Sequence, residues 1–324
     1  GGIDNSPDAM SCGSADFGLQ RVPADVVIVL DRSGSMNDPP PGGGASKWQQ
    51  VTSAINQTVG TLQNSIRWGL KFFPSDDMCG VAGGVDVQVS DTSYMQVPGA
   101  IGGQAPGGGT PTTNAIQTAG QYLAGVQGTN PKYLLLATDG QPNCGGGCGC
   151  PPGTTMMGTQ CCIQTICVPC SAGLGPDDQN AIQAVGAVAG MGIHTFVIGI
   201  ATDTMADATL NQMAQNGMEP RPGGPPSYYP VASQQDLANA LMAIAGRIGS
   251  CTFPLQMVPP DPNMVRVTAD GMIVPRDPTH ADGWDFGPGN MSIVFYGSWC
   301  NRLQMGMIQN VHAIFGCPPI GILK

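Results

Sequence analysis

The sequence predicts an α/β fold with a doubly wound, mostly parallel sheet of the Rossmann-like kind. Three short apolar runs, residues 26–30, 133–137 and 193–200, support this prediction because each has the length of one buried strand. Segments in which apolar residues recur at helical spacing separate these runs. Strands that alternate with helices form parallel sheets that are covered on both faces.

The first part of the chain supplies three strands and a helix. Residues 26–30 are mostly β-branched and are followed at once by Asp31, which is typical of a buried strand that ends in a functional loop. The apolar spacing over residues 48–62 predicts the first crossover helix. Residues 66–73 form the second predicted strand, and the alternation over residues 85–89 predicts a short edge strand.

The middle of the chain repeats the pattern. Residues 98–110 are predicted to form a glycine-rich loop that leads into a helix over residues 112–124. Residues 133–137 form the next buried strand. A helix over residues 177–190 then precedes the strand at residues 193–200.

The last part of the chain changes from helices to strands. Two helices are predicted over residues 204–215 and 234–248, and the second of them carries a clear apolar stripe. Beyond Cys251 the sequence predicts a small β-rich module with four strands, of which the first two form a hairpin. These four strands are residues 265–267, 272–274, 292–296 and 311–315.

Composition limits the possible partners and compartments. The chain has 324 residues, of which 41% are hydrophobic, so it can bury a sizeable core as one large domain or two smaller ones. Only 10% of residues are charged, the formal net charge is −10, and the basic residues do not cluster. These features exclude nucleic acid as a partner. Neither a signal-peptide pattern nor an apolar run of membrane-spanning length is present.

The twelve cysteines indicate an exported protein. Seven of them crowd the stretch from Cys144 to Cys170, and an even total suits disulfides in an oxidising compartment. Zinc is the competing interpretation, because some spacings are ligand-like. We expect Cys79 to bond to this cluster, and we expect further bonds among Cys12, Cys251, Cys300 and Cys317.

Three polar segments follow or precede the predicted elements at one edge of the sheet. They are the loop from Asp31 to Ser35, the Gly-Gly-Gly-Thr segment that ends at Thr110, and the Thr-Asp-Gly segment around Asp139. Ligands of open parallel sheets bind at the carboxyl ends of the strands, so we expect these segments to converge. The alternative interpretation is purely structural, with a serine capping a helix and Asp139 forming an Asx turn.

The side chains of these segments suit a hard cation. Asp31, Ser33, Ser35, Thr110 and Asp139 offer two carboxylates and three hydroxyls, which favour Mg²⁺, with Mn²⁺ or Ca²⁺ as alternatives, over soft metals. Because the hydroxyls are neutral, a bound ion would keep part of its charge. It would also keep a coordination position for water or an incoming carboxylate.

The Asp-x-Ser-x-Ser loop with a distant Thr and a distant Asp resembles the metal-ion-dependent adhesion site of the von Willebrand factor A family. The resemblance implies a family domain over residues 25–250, after an N-terminal arm of residues 1–24. A cysteine-rich insertion at about residues 141–176 departs from the compact family pattern. The tail, residues 251–324, lies outside the family domain, and its arrangement is similar to that of secreted bacterial proteins of the myxobacterial type.

The resemblance implies a metal-dependent adhesion or protein-binding domain on the outer surface of a bacterium. Its partner would be a protein with an acidic residue or a surface polysaccharide. The second hypothesis is a structural subunit of a surface filament or lattice, in which the metal makes the loops rigid. An enzyme is not expected, because no general base stands out beside the predicted metal ligands.

Overall fold

The computed structural model describes residues 15–19, 22–145, 155–157, 160–163, 166–169, 177–202, 204–304 and 307–317. The chain divides into two compact units. One unit comprises residues 24–244, and the other combines residues 1–23 with residues 245–324.

Strands are distributed over both units. In chain order they are β1 (Ala15–Leu19), β2 (Ala24–Asp31), β3 (Ile66–Phe73), β4 (Val87–Ser90), β5 (Lys132–Thr138), β6 (Thr155–Met157), β7 (Gln160–Ile163), β8 (Ile166–Pro169), β9 (Ile193–Ile200), β10 (Tyr229–Val231), β11 (Thr252–Pro254), β12 (Val265–Ala269), β13 (Met272–Val274), β14 (Gly283–Phe286), β15 (Ser292–Tyr296) and β16 (Val311–Phe315).

Most of the helices alternate with the strands of the unit at residues 24–244. In chain order the helices are α1 (Lys47–Thr61), α2 (Ser93–Gly102), α3 (Thr112–Gly125), α4 (Asp178–Ala189), α5 (Thr204–Asn216), α6 (Gln234–Ile248) and, in the other unit, α7 (Gly297–Gln304). Among the residues described, none of these helices has both the length and the apolar character needed to cross a bilayer.

A six-stranded sheet in the order β10-β9-β5-β2-β3-β4 forms the centre of the first unit. All neighbouring pairs are parallel except β3 with β4, which are antiparallel. The predicted doubly wound, mostly parallel sheet is therefore confirmed. Strand β2 lies between β5 and β3, and all eight of its residues are buried. Its last residue, Asp31, pairs with Phe73 of β3, and the residue before it, Leu30, pairs with Ala137 of β5.

Helices cover both faces of this sheet. Side chains alternate between the two faces of a strand, and Val27 and Val29 pack in one core cluster with residues of α3, α4 and α5. On the opposite face, Trp48 of α1 lies against Phe72 of β3, with ring centroids 6.2 Å apart. Burial on both faces explains why the strands are continuous apolar runs rather than alternating ones.

Residues 93–102 form helix α2, whereas a glycine-rich loop was predicted from residue 98. Its glycines and Pro98 are typical of a loop, but Val97 and Ile101 are buried and anchor the helix to the sheet. The glycine-rich loop is therefore shorter than predicted. Strand β10 and helix α7 are likewise additional to the prediction.

The insertion after β5 contains an antiparallel sheet in the order β6-β7-β8. Its first residues, 141–145, lie beside the candidate site described below. The disulfide prediction includes seven cysteines whose side chains lie outside the part of the chain that the structure describes. They are Cys12, Cys148, Cys150, Cys161, Cys162, Cys167 and Cys170.

The second unit is β-rich, as predicted for the tail. Strands β1, β16, β12 and β13 form one antiparallel sheet, and β11, β15 and β14 form another. Their shared core includes Trp284, Phe253 and Phe295. The N-terminal arm contributes β1, which pairs with β16 and which the sequence did not indicate. Cys251 and Cys300 are joined by a disulfide, and Cys317 is disulfide-bonded as well.

Candidate functional site

The candidate site lies at the carboxyl edge of the central sheet, where β2 and β5 end. Asp31 is the last residue of β2, and Ser33 and Ser35 follow it in a tight turn. Asp139 follows β5 directly, and Thr110 lies just before α3. Because β2 and β5 are neighbours in parallel register, the first and third predicted segments lie side by side.

Asp31 is fixed at the base of the site. Its side chain is 0% exposed. The backbone N–H of Ser33 donates to Asp31 Oδ1 at 2.8 Å, and the hydroxyl of Thr138 donates to Asp31 Oδ2 at 2.6 Å. Strand β5 thus holds a carboxylate of strand β2 in a single orientation.

A chain of hydrogen bonds joins the two serines to Asp139. Ser33 Oγ lies 3.2 Å from Ser35 Oγ, and the Ser35 hydroxyl donates to Asp139 Oδ1 at 2.9 Å. The carboxylate of Asp139 is itself inaccessible to solvent. Four of the five predicted residues, including Asp31 below the turn, therefore form one connected cluster of oxygen atoms.

Thr110 reaches the same place from the second loop. It is 3% exposed and lines an open depression of about 570 Å³ together with Ser35 and Asp139. Its backbone N–H donates to Asn143 Oδ1 at 2.8 Å, and the N–H of Asn143 donates to the Thr110 carbonyl at 3.2 Å. Three of the five predicted residues, Ser35, Thr110 and Asp139, thus line one depression. Ser33 and Asp31 lie behind them and are connected to Ser35 by hydrogen bonds.

The helix-cap interpretation of the serines is not supported. Ser33 stands at the N-cap position of the short 3₁₀ turn Gly34–Asn37, but its side chain makes no capping hydrogen bond. Asp31 rather than Asp139 forms the Asx-type contact, through the N–H of Ser33. The serine hydroxyls are directed into the oxygen cluster instead of onto the backbone.

Two residues of the site were missed in the sequence. Thr138 orients Asp31, and its position directly before Asp139 was the available signal. Lys47, the first residue of α1, places its Nζ 2.8 Å from Asp139 Oδ2. No sequence spacing indicates that contact, because the Pro/Gly-rich stretch between Ser35 and Lys47 can take many paths.

Arg32 ties the loops of the site together. Its guanidinium donates to the carbonyl oxygens of Pro74 at 2.7 Å, Ala105 at 2.8 Å and Asp76 at 3.3 Å. The carbonyl of Arg32 also accepts from the N–H of Gly107 at 2.7 Å. One side chain therefore connects the loop after β2 with the loop after β3 and with the loop that carries Thr110.

The Cys79–Cys144 disulfide packs against the loop that carries Thr110. A Cβ added to Gly109 would lie 2.8 Å from Cys144 Sγ and 3.1 Å from Cys79 Sγ, so only glycine fits there. The predicted bond between Cys79 and the cysteine cluster is confirmed. Because Cys144 follows Asp139 by a few residues, this bond restrains the second and third loops together.

The buried carboxylate of Asp31 is difficult to ionise. Burial raises the pKa of Asp31 to about 7, and the negative charge of Asp139 adds to this rise. Hydrogen bonds from Thr138 and Ser33 lower the pKa but do not offset the effect of burial. A positive charge beside Asp31 would favour the ionised form.

This shift gives a pH-dependent contribution to stability. With a raised pKa, folded Asp31 keeps its proton between its unfolded value of 3.8 and about 7. The stabilisation that comes from this retained proton is fully present at pH values below 3.8, the pKa in the unfolded chain. It is lost as the pH rises through about 7, the pKa in the folded protein. In the presence of a metal chelator, we expect the Tm of wild type to fall between about pH 5 and about pH 8, and the Tm of Asp31→Asn to fall much less. The difference corresponds to roughly 2–4 kcal/mol in the free energy of unfolding.

The amide of Asp31→Asn can still accept from the Ser33 N–H and can donate to the Thr138 hydroxyl, so the packing is matched. Thermal unfolding of wild type and variant, each with and without Mg²⁺, would measure the effect. Identical pH profiles in chelator would contradict it.

The chemistry of the cluster is that of hard oxygen donors. Within the ranges that the structure describes, no group of three or more His, Cys, Asp or Glu side chains is arranged to hold an ion. A cation at this site would therefore depend on hydroxyl oxygens as well as carboxylates, a combination that suits Mg²⁺, Mn²⁺ or Ca²⁺.

Comparison with solved structures shows the same fold in bacterial surface proteins. The pilus adhesin SpaC from Lactobacillus rhamnosus GG has 18% sequence identity and a TM-score of 0.52, and the alignment covers 92% of this chain and 40% of the adhesin. The PilB minor pilin from Streptococcus sanguinis has 17% identity and a TM-score of 0.52, with 70% and 61% covered. The chain thus spans less than two thirds of either protein.

The sequence itself identifies the family. No curated protein matches the chain closely. The model of the von Willebrand factor type A domain, however, matches residues 25–240 of the 324-residue chain, which is well over half. These residues include the central sheet, apart from Ala24 at the start of β2, and every residue of the candidate site. The chain therefore belongs to the von Willebrand factor type A domain family.

Proposed function

We propose that this chain is an adhesion or protein-binding domain on the outer surface of a bacterium, and that it holds its partner through a divalent cation. Asp31, Ser33, Ser35, Thr110 and Asp139 would hold the cation, most simply Mg²⁺, with Mn²⁺ or Ca²⁺ as alternatives. When bound, the ion would supply a positive centre that can accept an acidic group of another molecule. The observation that carries the proposal is the connected oxygen cluster around one open depression.

The buried carboxylate of Asp31 supports a cation at this site. Its hydrogen-bond donors, from Ser33 and Thr138, are neutral, and an ionised carboxylate without a positive partner is costly to bury. The raised pKa of Asp31 expresses that cost. A divalent ion among these oxygens would compensate the charge, so the residues present fit the group.

The depression suits capture better than turnover. Asp139 is engaged by Ser35 and Lys47, and Asp178, which also lines the depression, accepts a hydrogen bond from Thr209 at 2.7 Å. Neither carboxylate is placed as a general base for a water molecule. We therefore propose a binding function and no catalysis. The partner would be a protein with an acidic residue or a surface polysaccharide.

Two observations support an extracellular location. The described cysteines Cys79, Cys144, Cys251 and Cys300 are paired in disulfides, which persist in oxidising compartments. In addition, the fold is shared with proteins named as a pilus adhesin and a minor pilin. The minor pilin also favours the second candidate, a structural subunit of a surface assembly.

Crosslinking on the surface of the producing cells, with and without EDTA, tests the proposal. We expect a partner molecule to be captured in Mg²⁺, lost in EDTA and recovered when Mg²⁺ is restored. Mass spectrometry of the crosslinked products would identify it. Crosslinks only between copies of this chain, unchanged by EDTA, would reject adhesion and favour the assembly subunit.

A further inference from the structure

Lys47 brings a positive charge directly to the candidate metal site. Its Nζ lies 2.8 Å from Asp139 Oδ2, and its side chain is only 12% exposed. The opposite oxygen of the same carboxylate accepts the hydroxyl of Ser35 at 2.9 Å. Lys47 also lines the depression with Ser35 and Thr110, so its ammonium group faces the space that a cation and a partner would use.

The start of helix α1 fixes the position of Lys47. Ser46 and Gln49 form a capping box, in which the Ser46 side chain accepts from the Gln49 N–H and the Gln49 side chain accepts from the Ser46 N–H. The backbone N–H of Lys47 donates to the carbonyl of Asp38 at 3.0 Å. The helix therefore begins at a defined place, and Lys47 extends over the site from a rigid base.

Arg32, the other basic residue beside the cluster, does not offset the carboxylates in the same way. Its guanidinium is committed to three backbone carbonyls on the far side of the loop. The side chains that determine the charge of the depression and of the cluster beneath it are thus Asp31, Asp139, Asp178 and Lys47. Together they carry two net negative charges when all three carboxylates are ionised.

We propose that Lys47 is a counter-cation of the metal site, which weakens metal binding and makes the loaded site one charge more positive than the carboxylates alone would leave it. This inference rests on the proposed function. With Lys47 present, a divalent ion neutralises the two net negative charges of these side chains. Without Lys47 the loaded site would keep one net negative charge, which would repel an incoming carboxylate. Lys47 thus lowers the affinity of the site for the metal and raises the affinity of the loaded site for an acidic group on the partner.

Calorimetric titration with Mn²⁺ tests the first half of the proposal. Lys47→Met keeps the length and apolar stem of the side chain but removes its charge, and we expect it to bind Mn²⁺ about tenfold more tightly or better, because like charges repel strongly at short range in a partly buried site. Lys47→Arg should stay close to wild type.

Lys132→Met is the matched control. Lys132 begins β5 at the opposite end of the strand from Asp139, and its Nζ donates to the carbonyl of Val126. This variant loses the same charge from the same unit but far from the depression, so its Mn²⁺ affinity should equal that of wild type. Equal or weaker Mn²⁺ binding by Lys47→Met would overturn the proposal. Absence of Mn²⁺ binding by wild type and all variants would reject the metal site itself.

Acetate tests the second half. Added to the Mn²⁺-loaded protein, acetate should displace a water molecule from the ion and lower the relaxation rate of water protons. We expect several-fold tighter acetate binding by wild type than by Mn²⁺-loaded Lys47→Met, despite the tighter metal binding of that variant. Equal acetate affinity would show that Lys47 tunes the metal alone and would overturn its role in selecting acidic groups.

Discussion

Asp31→Ala is expected to abolish divalent-ion binding while leaving the fold intact. Substitution of groups that only orient metal ligands already lowers metal affinity by about 10–100-fold. Loss of this central carboxylate should therefore raise the Kd for Mn²⁺ by more than about 100-fold. The apolar residues of β2 remain buried. The Ser33 N–H and the Thr138 hydroxyl would lose their acceptor, at a cost of about 1–3 kcal/mol each. This loss is partly offset because a buried carboxylate without a positive partner is itself unfavourable.

Two further variants separate the site from the scaffold. Ser33→Ala should weaken Mn²⁺ binding less than Asp31→Ala, because a water molecule can replace a neutral hydroxyl. Ile28→Ala lies on the same strand and is fully buried. It should cost about 2–5 kcal/mol of stability without changing the Mn²⁺ affinity of the folded molecules.

Calorimetry and circular dichroism would measure both properties. Unchanged Mn²⁺ binding by Asp31→Ala would show that the site assignment is wrong. If the variant lost the ion but still captured its partner on cells, the assignment of the metal site would be supported and the hypothesis of metal-mediated adhesion would be rejected.

The double variant Cys79→Ser/Cys144→Ser is expected to lose both stability and metal affinity. The bond joins residues 65 positions apart, and closing a loop of that size contributes about 4 kcal/mol in the chain-entropy model. The same bond packs against Gly109, and Asn143 holds the backbone of Thr110. Without the bond, Thr110 should be held less firmly, and we expect Mn²⁺ binding to weaken by about tenfold.

Cys251→Ser/Cys300→Ser provides the matched control. Its bond closes a loop of similar size, 49 positions, in the other unit. Thermal unfolding should therefore show a comparable loss of stability, while Mn²⁺ affinity should stay unchanged. Equal Mn²⁺ affinity in both double variants would mean that the Cys79–Cys144 bond does not position the site.

Much of the fold was predictable because local patterns and tertiary burial agree. The strand at residues 193–200 and the helix at residues 234–248 coincide with β9 and α6. Helix α2 was missed because its glycines and proline oppose helix formation, and burial of Val97 and Ile101 outweighs that preference. Strand β1 was missed because its partner β16 lies almost 300 residues away, and no local signal reports such pairing.

The site was predictable to the extent that its residues sit at strand ends. Asp31 and Asp139 follow buried strands, and adjacent parallel strands bring them together. Lys47 was not predictable in the same way. It becomes part of the site because the chain between Ser35 and helix α1 folds back over the depression, and that path depends on tertiary contacts such as the bond from Lys47 N–H to Asp38.

The Cys251–Cys300 bond also determines how the second unit would respond to mechanical tension. A force transmitted along the backbone from residue 251 to residue 300 passes through the covalent bond instead of through the chain between them. Strands β11 to β15 lie within that stretch, so they cannot be pulled out in extension. The β1–β16 pair lies outside it, and Cys317, which follows β16, is disulfide-bonded as well. Under load along this path, the strands between Cys251 and Cys300 would stay folded.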